Sequence, residues 1–317
     1  MPTRYKDLKL KCSTLQKIHF IKITDFNYIN AGDIFCSPLL WFNDFFNKYS
    51  CISHCLSTIR YEQIAKNDVV ILGGGGFLHY NPWFNFNIAI NKILDLCDNV
   101  VLWGAGFNSE FVDGHIKYIE PNIDFSRFRL YGIRDYDCEN YNYTPCVSSV
   151  NPLLKYAYEA TPKYEIASML HPLMNIQTIS GIDRNMSHFS NLSSIMEFIA
   201  DHEVIVTNSY HAALWALLAN RKVISPKDLK CGSKFNYFEH SPQFIDDLQN
   251  IKQIKEAAKI ANNYPTFLDD SVKRSLEFFD KVKKIVQEVI PIPDKKYENF
   301  YNQSLMAEVY FQHIRKL

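Results

Sequence analysis

The chain has 317 residues, a length that suits two domains of roughly 100 to 200 residues each better than a single core. Its 47% apolar and 15% aromatic content is that of a globular protein with ample core material. Lys plus Arg equals Asp plus Glu at 34 each, so no global field exists to gather a nucleic acid, and an anionic ligand must be held locally.

The first residues, MPTRYKDLKLKCST, are polar and charged and contain no apolar segment of signal-peptide type. No later stretch approaches about 18 uninterrupted apolar residues, so the expectation is a cytoplasmic protein, with access to the inner face of the membrane. Cys12, Cys36, Cys51, Cys55, Cys97, Cys138, Cys146 and Cys231 are scattered, which suits reduced thiols rather than a disulfide framework. Cys51, His54 and Cys55 have metal-ligand chemistry, but no second pair with ligand spacing follows, and no metal is expected.

Ile18 to Ile23 predicts a first strand, followed by a loop to Asp33. Ile34 to Lys48 predicts a helix with Pro38 in its first turn. The strand Val69 to Leu72 then runs straight into Gly73, Gly74, Gly75 and Gly76. The helix Asn87 to Leu96, the strand Val100 to Trp103, a loop with Gly104 and Gly106, and the strand Leu130 to Ile133 follow. Strands alternating with helices predict an α/β fold with a mostly parallel sheet, one Rossmann-like half. Periodicity weakens where Pro145, Pro152 and Pro162 cluster, marking a crossover from an N-terminal domain (1–155) to a second (156–290). That half is expected to hold the strand Ile176 to Ile179, the helix Leu192 to Ala200, the strand Val204 to Val206, the helix Ala212 to Ala219 and the strand Lys222 to Ile224. The helices Asn250 to Ala261 and Asp269 to Val289 complete it, and a tail (291–317) carries a helix near Ser304 to Arg315.

The polar residues that follow predicted strands are the candidates for chemistry, because open parallel sheets bind ligands beyond their carboxyl ends. Four glycines in a row suit close approach of backbone amides to a ligand, or a tight turn that lets a helix pack on its strand. Asn30, Gly32 and Asp33 precede a helix, where Asp33 serves either a ligand or the helix cap. Trp103, Gly104, Ala105, Gly106, Phe107 and Asn108 begin like a dinucleotide fingerprint but lack its third glycine. Arg134 and Asp135 follow a strand and are either ligand-facing or an ordinary ion pair. Thr207, Asn208, Ser209, Tyr210 and His211 separate an apolar strand from an apolar helix, which places His211 at a crevice mouth as a proton-exchanging group.

Taken in order, Asn-x-Gly-Asp (Asn30 to Asp33), Gly-Gly-Gly-Gly-Phe-Leu (Gly73 to Leu78), Trp-Gly-Ala-Gly (Trp103 to Gly106), Gly-Ile-Arg-Asp (Gly132 to Asp135), Thr-Pro-Cys-Val-Ser (Thr144 to Ser148), Thr-Asn-Ser-Tyr-His-Ala (Thr207 to Ala212) and Asn-Arg-Lys-Val-Ile (Asn220 to Ile224) resemble the polysaccharide pyruvyl transferase family over roughly residues 17–285. The resemblance implies two Rossmann-like domains facing a cleft in a glycosyltransferase-B-like architecture, with the acceptor on the N-terminal side and the donor on the C-terminal side. It implies phosphoenolpyruvate as donor, no cofactor, and a pyruvate ketal on two hydroxyls of a sugar of a cell-surface polysaccharide or its precursor. His211 would then be general acid or phosphate-side donor, Asp33 would orient or deprotonate an acceptor hydroxyl, and Arg134 would clamp the carboxylate or phosphate. Gly73 to Gly76, His79, Asn30, Gly32, Gly104, Gly106, Asn108, Asn208, Ser209 and Tyr210 would line the substrate. Many members have arginine where this chain has Ser209, and Lys234 is either a replacement for that charge or a solvated lysine.

Two other functions fit the same pattern: a two-domain glycosyltransferase using a nucleotide sugar, and a binding protein that kept the fold without chemistry. The basic end of the tail, Arg315 and Lys316, suits either peripheral membrane contact or packing in a domain or homo-oligomer interface.

Overall fold

The computed structural model describes residues 16–22, 31–76, 78, 85–107, 110–112, 115–117, 122–136, 141–171, 178–187, 190–227 and 238–291. Asn30, His79, Asn108, Lys234 and the helix expected at 304–315 lie outside the described residues.

Two five-stranded sheets organise the chain. The first runs β2 (Cys51–Cys55), β1 (Ile18–Lys22), β3 (Val69–Gly73), β4 (Val100–Ala105), β7 (Leu130–Ile133), with every pairing parallel. The second runs β12 (Gln243–Ile245), β11 (Lys222–Pro226), β10 (His202–Val206), β8 (Tyr164–Leu170), β9 (Asn185–Ser187), again parallel throughout. A small antiparallel pair, β5 (Glu110–Val112) and β6 (His115–Lys117), stands apart.

The central strands are continuous apolar runs because both faces are covered. Ile18, Phe20, Val69, Ile71, Val101 and Trp103 face a core shared by both halves. Their neighbours Ile21, Val70, Leu72, Val100 and Leu102 face a second core under α4 (Phe86–Leu96). A third core lies between the second sheet and α8 (Ile251–Ile260). Asparagines cap several helices: Asn85 accepts from the Ile88 amide, Asn191 from Ser194 at the start of α6 (Leu192–Asp201), and Asn250 from Lys252 and Gln253.

Where the fold departs from expectation, local chemistry gives the reason. The single helix expected from Ile34 to Lys48 is three short ones, α1 (Ala31–Phe35), α2 (Pro38–Trp41) and α3 (Asn43–Phe46). Pro38 has no N–H to donate back into a helix, so it closes the first and starts the second. Pro152 does the same for α5 (Pro152–Glu159), inside the stretch expected to be an irregular crossover. Thr178 and Ile179 are not in a strand; the second sheet takes β8 instead, whose first residues are exposed and therefore lack a buried-strand signature. Strand β2 lies at the sheet edge, and its Cys-Ile-Ser-His-Cys pattern carries little apolar signal.

The long helix α9 (Phe267–Val289) returns to the first sheet. Phe279 stacks on Phe42 at 3.8 Å, and Phe278 packs against Trp103 at 5.2 Å. Arg129 pairs with Glu288, and Ser149 Oγ bonds Ser275 Oγ at 3.0 Å. Among the described residues no helix is long and apolar enough to cross a membrane.

Candidate functional site

Three segments meet at the junction of the two halves, each just past the carboxyl end of a parallel strand. The first is α1, which follows β1 and carries Gly32, Asp33 and Cys36. The second extends from the end of β7 and carries Arg134, Asp135 and Cys146. The third is the start of α7 (Tyr210–Leu218), which follows β10 and carries Tyr210 and His211.

His211 is 7% exposed and is held on two sides. Its Nε2 lies 3.7 Å from Cys146 Sγ. A Cβ built on Gly32 would land on its Nδ1 and come within 2.6 Å of Cγ, so the Gly32 backbone packs directly on the imidazole. The ring also lies edge-on to Tyr210 at 5.2 Å and tilted against Trp215 at 5.6 Å.

Arg134 is 6% exposed, and its guanidinium sits 3.8 Å from the centre of the Tyr210 ring. Its amide is anchored to the Ala105 carbonyl at 2.9 Å, yet its Nε and Nη1 have no hydrogen-bond partner. A buried guanidinium with idle donors is costly unless an anion completes it. Gly106 makes room for it, since a Cβ there would land on Arg134 Nε and 2.9 Å from Asp135 Oδ2. Burial pushes Asp135 up to about 7, against the pull of Arg134 and of the Phe107 amide, which donates to Oδ2 at 2.9 Å. Near neutral pH the carboxylate is thus only a partial counter-charge for the arginine.

Two further groups belong to this cluster and were not singled out from the sequence. Lys22, the last residue of β1, is 5% exposed. Cys36 is raised well above the ordinary thiol range by burial and by Cys146 and Asp33, while Arg134 and Lys22 pull the other way. Both cations therefore act on the same thiol. Burial likewise raises Tyr210 well above the phenol range, with Arg134 opposing. A lysine inside the apolar run Ile18 to Ile23 is the sequence signal that could have found the first of these two groups.

The glycine run does something other than offer amides to a ligand at its first two positions. The Gly74 amide donates to Trp103 O at 3.0 Å, and Gly75 O accepts from the Gly106 amide at 2.9 Å. A Cβ on Gly73 would reach 3.0 Å from Pro38 Cγ, and one on Gly74 would land on Cys36. What approaches Gly73 and Gly74 so closely is protein, namely the chain around α1 and α2. Gly74 and Gly75 also have φ of 65° and 90°, the left-handed region that favours glycine. Gly104, at φ 66°, turns under the Pro145 carbonyl.

Asp33 lies inside the first turn of α1, not at its cap, and its carbonyl accepts from Cys36 Sγ at 3.1 Å. Asn208 and Ser209 are buried in backbone support: Asn208 Oδ1 accepts from the His171 amide at 2.7 Å, and the Ser209 amide donates to Thr207 Oγ1 at 3.0 Å. Tyr210 and His211 open a helix rather than ending a loop, because Ser209 takes the cap position. The structure thus brings His211, Arg134, Tyr210, Gly32 and Gly106 together. Asn208 and Ser209 precede Tyr210 and His211, each bonded to the chain nearby. No group of three or more His, Cys, Asp or Glu that could hold a metal ion occurs among the described residues, at Cys51, His54 and Cys55 or elsewhere.

No protein-family model matches the chain, and no curated protein sequence matches it. Among solved structures, the "functional uncharacterized protein KP1_0663" of Klebsiella pneumoniae is similar at 15% identity and a TM-score of 0.45, over 73% of this chain and 93% of that one. Two structures of the wall teichoic acid polymerase TagF are similar at 11% and 7% identity and TM-scores of 0.41 and 0.36. They cover 86% and 95% of this chain and 89% and 90% of theirs. At these scores the likenesses leave donor, acceptor and chemistry to the residues themselves.

Proposed function

We propose that this junction transfers the pyruvyl group of phosphoenolpyruvate to two hydroxyls of a sugar, forming a ketal on a cell-surface polysaccharide or its precursor. The observation that carries the reading is Arg134, a buried guanidinium over the Tyr210 ring whose Nε and Nη1 are left without partners. A carboxylate or phosphate matches that planar fork. The order of motifs from Asn30 to Ile224 supports the same reading through its resemblance to pyruvyl transferases.

Ketal formation from an enol phosphate needs a proton for the methylene carbon, an anion clamp for the donor and a base for the attacking hydroxyls. In this reading Arg134 clamps the donor, Lys22 adds a second cation to the same cluster, His211 supplies the proton, and Asp33 takes one from the acceptor. Asp135 tunes the arginine. No cofactor or metal takes part.

Phosphate release from phosphoenolpyruvate in the presence of sugar acceptors tests it. His211→Ala and Arg134→Ala are each expected to lose about 10²- to 10⁴-fold in rate. Native-like rates in both, or no release by the native protein with any acceptor, would refute the reading.

A further inference from the structure

The pyruvyl-transfer reading leaves Cys146 without a role, although Cys146 is the group that His211 Nε2 meets, at 3.7 Å. The Nδ1 side of the imidazole is closed by Gly32, where not even a methyl group fits. In the tautomer that carries its proton on Nδ1, Nε2 accepts, and the atom it faces is sulfur. Hydrogen bonding around the thiol has a matching direction. Trp215 Nε1 donates to Ser148 Oγ at 3.0 Å, and with the Ser148 hydroxyl donating in turn to Cys146 Sγ, 3.3 Å away, the S–H is directed at the imidazole. Cys146 also lies within electrostatic reach of Arg134, whose Nε and Nη1 are unpartnered at 6% exposure. A thiol in contact with a base and within electrostatic reach of an unmatched guanidinium has the make-up of a nucleophile for an anionic electrophile.

We propose that Cys146, activated by His211, is a nucleophile for the electrophilic carbon of a small carboxylate-bearing molecule seated on Arg134. Only the identity of that molecule rests on the pyruvyl-transfer reading. With phosphoenolpyruvate the step is addition of S–H across the enol double bond. The sulfur forms a bond to C2, the π pair of C2=C3 takes up a proton at C3, and His211 carries that proton from thiol to carbon. Nothing is oxidised or reduced, and phosphate stays on C2. The first sugar hydroxyl then forms a C2–O bond as phosphate departs with the C–O pair and the hydroxyl proton. The second displaces sulfur in the same way, and its proton restores the thiol. The sum is one enol phosphate and two hydroxyls giving one ketal and one phosphate.

Alkylation of the full-length protein tests the nucleophile without any turnover. Iodoacetate and iodoacetamide are applied at pH 7, and the labelled peptides are quantified by mass spectrometry. In each case sulfur bonds carbon, iodide leaves with its pair, and the thiol proton goes to the base. Half-exposed Cys55 serves as the internal standard. At Cys146 the ratio of iodoacetate to iodoacetamide rates is expected to exceed that at Cys55 by about tenfold, because the carboxylate is drawn to Arg134. Arg134→Gln is expected to abolish that excess, and His211→Asn to slow both reagents at Cys146 by at least about tenfold. Unchanged thermal melting of the Arg134→Gln protein certifies the fold if the histidine variant fails to fold. Absence of label at Cys146 while Cys55 reacts, or a ratio equal to that at Cys55, overturns the proposal. Phosphoenolpyruvate then separates the two claims. Protection of Cys146 by it supports both, whereas the expected labelling pattern without protection upholds the nucleophile and overturns the donor.

Discussion

Replacing Gly32 by alanine sets helix propensity against the site. Gly32 is the second residue of α1 and is not in the left-handed region, so alanine there improves the helix by about 1 kcal/mol on propensity alone. The added Cβ, however, would land on His211 Nδ1, 2.6 Å from Cγ and 2.9 Å from the His211 Cβ. Restoring ordinary contact at Cγ means opening the gap from 2.6 Å to at least 3.4 Å, and neither neighbour is the loose end of a flexible chain. Overpacking of this kind costs about 1–3 kcal/mol. The net expectation is a loss of about 1 kcal/mol and a melting temperature lower by about 2–4 °C. The functional loss is larger, since moving a reacting group by nearly an ångström costs about 100-fold in rate. Differential scanning fluorimetry and phosphate-release kinetics on the Gly32→Ala protein give both numbers. A higher melting temperature with turnover within twofold of native would refute the contact between α1 and His211.

Arg134→Gln is expected to melt no lower than the native protein, because it removes a buried charge with idle donors, while losing the stabilisation that phosphoenolpyruvate gives; a melt lowered by several degrees would show that the guanidinium is already satisfied. Gly74→Ala combines a φ of 65° with a collision on Cys36 and is expected to cost about 3 kcal/mol or more, measured by urea unfolding; a loss below about 1 kcal/mol would count against the close approach of α1 to the glycine turn. Acid should weaken the protein through a relay at the start of β1, in which His19 Nδ1 lies 2.9 Å from His54 Nε2 and His19 Nε2 lies 3.0 Å from Asp68 Oδ2. Burial, with a smaller effect of His19, lowers His54 to about 4, so between about pH 6.5 and 4 the unfolded chain binds more protons and stability falls as pH falls. Discounted for partial exposure, the loss is about 1–3 kcal/mol, and Asp68, lowered by its bonds to His19, Ala65 and Lys17 despite burial, adds to it at still lower pH. Urea unfolding at pH 7 and pH 5 measures it, and an identical slope in His54→Asn would contradict the assignment.

Strands whose two faces are covered announce themselves, which is why β3, β4, β7 and β10 lie close to where the apolar runs of the sequence put them. Strands β2 and β8 carry mixed residues at an edge or an exposed start, and their place depends on pairing with a neighbour rather than on their own pattern. The same division holds for the site. Gly106 and Arg134 follow strands directly, and Gly32 and His211 sit in the helices that come next after β1 and β10, so position on a parallel sheet sufficed to mark them. Cys146 and Cys36 carry no spacing signal, and the contact that joins Cys146 to His211 spans 65 residues, so only the folded arrangement displays it. Gly73 and Gly74 show the converse: glycine marks close approach, but the sequence does not say whether ligand or protein does the approaching.

A crystal of the protein soaked in phosphoenolpyruvate tests the central claim most directly. Carboxylate or phosphate oxygens are expected about 2.7–2.9 Å from Arg134 Nε and Nη1, with the enol carbon beside the pair formed by Cys146 and His211. Density for the ligand elsewhere, with Arg134 still unpartnered, would contradict it.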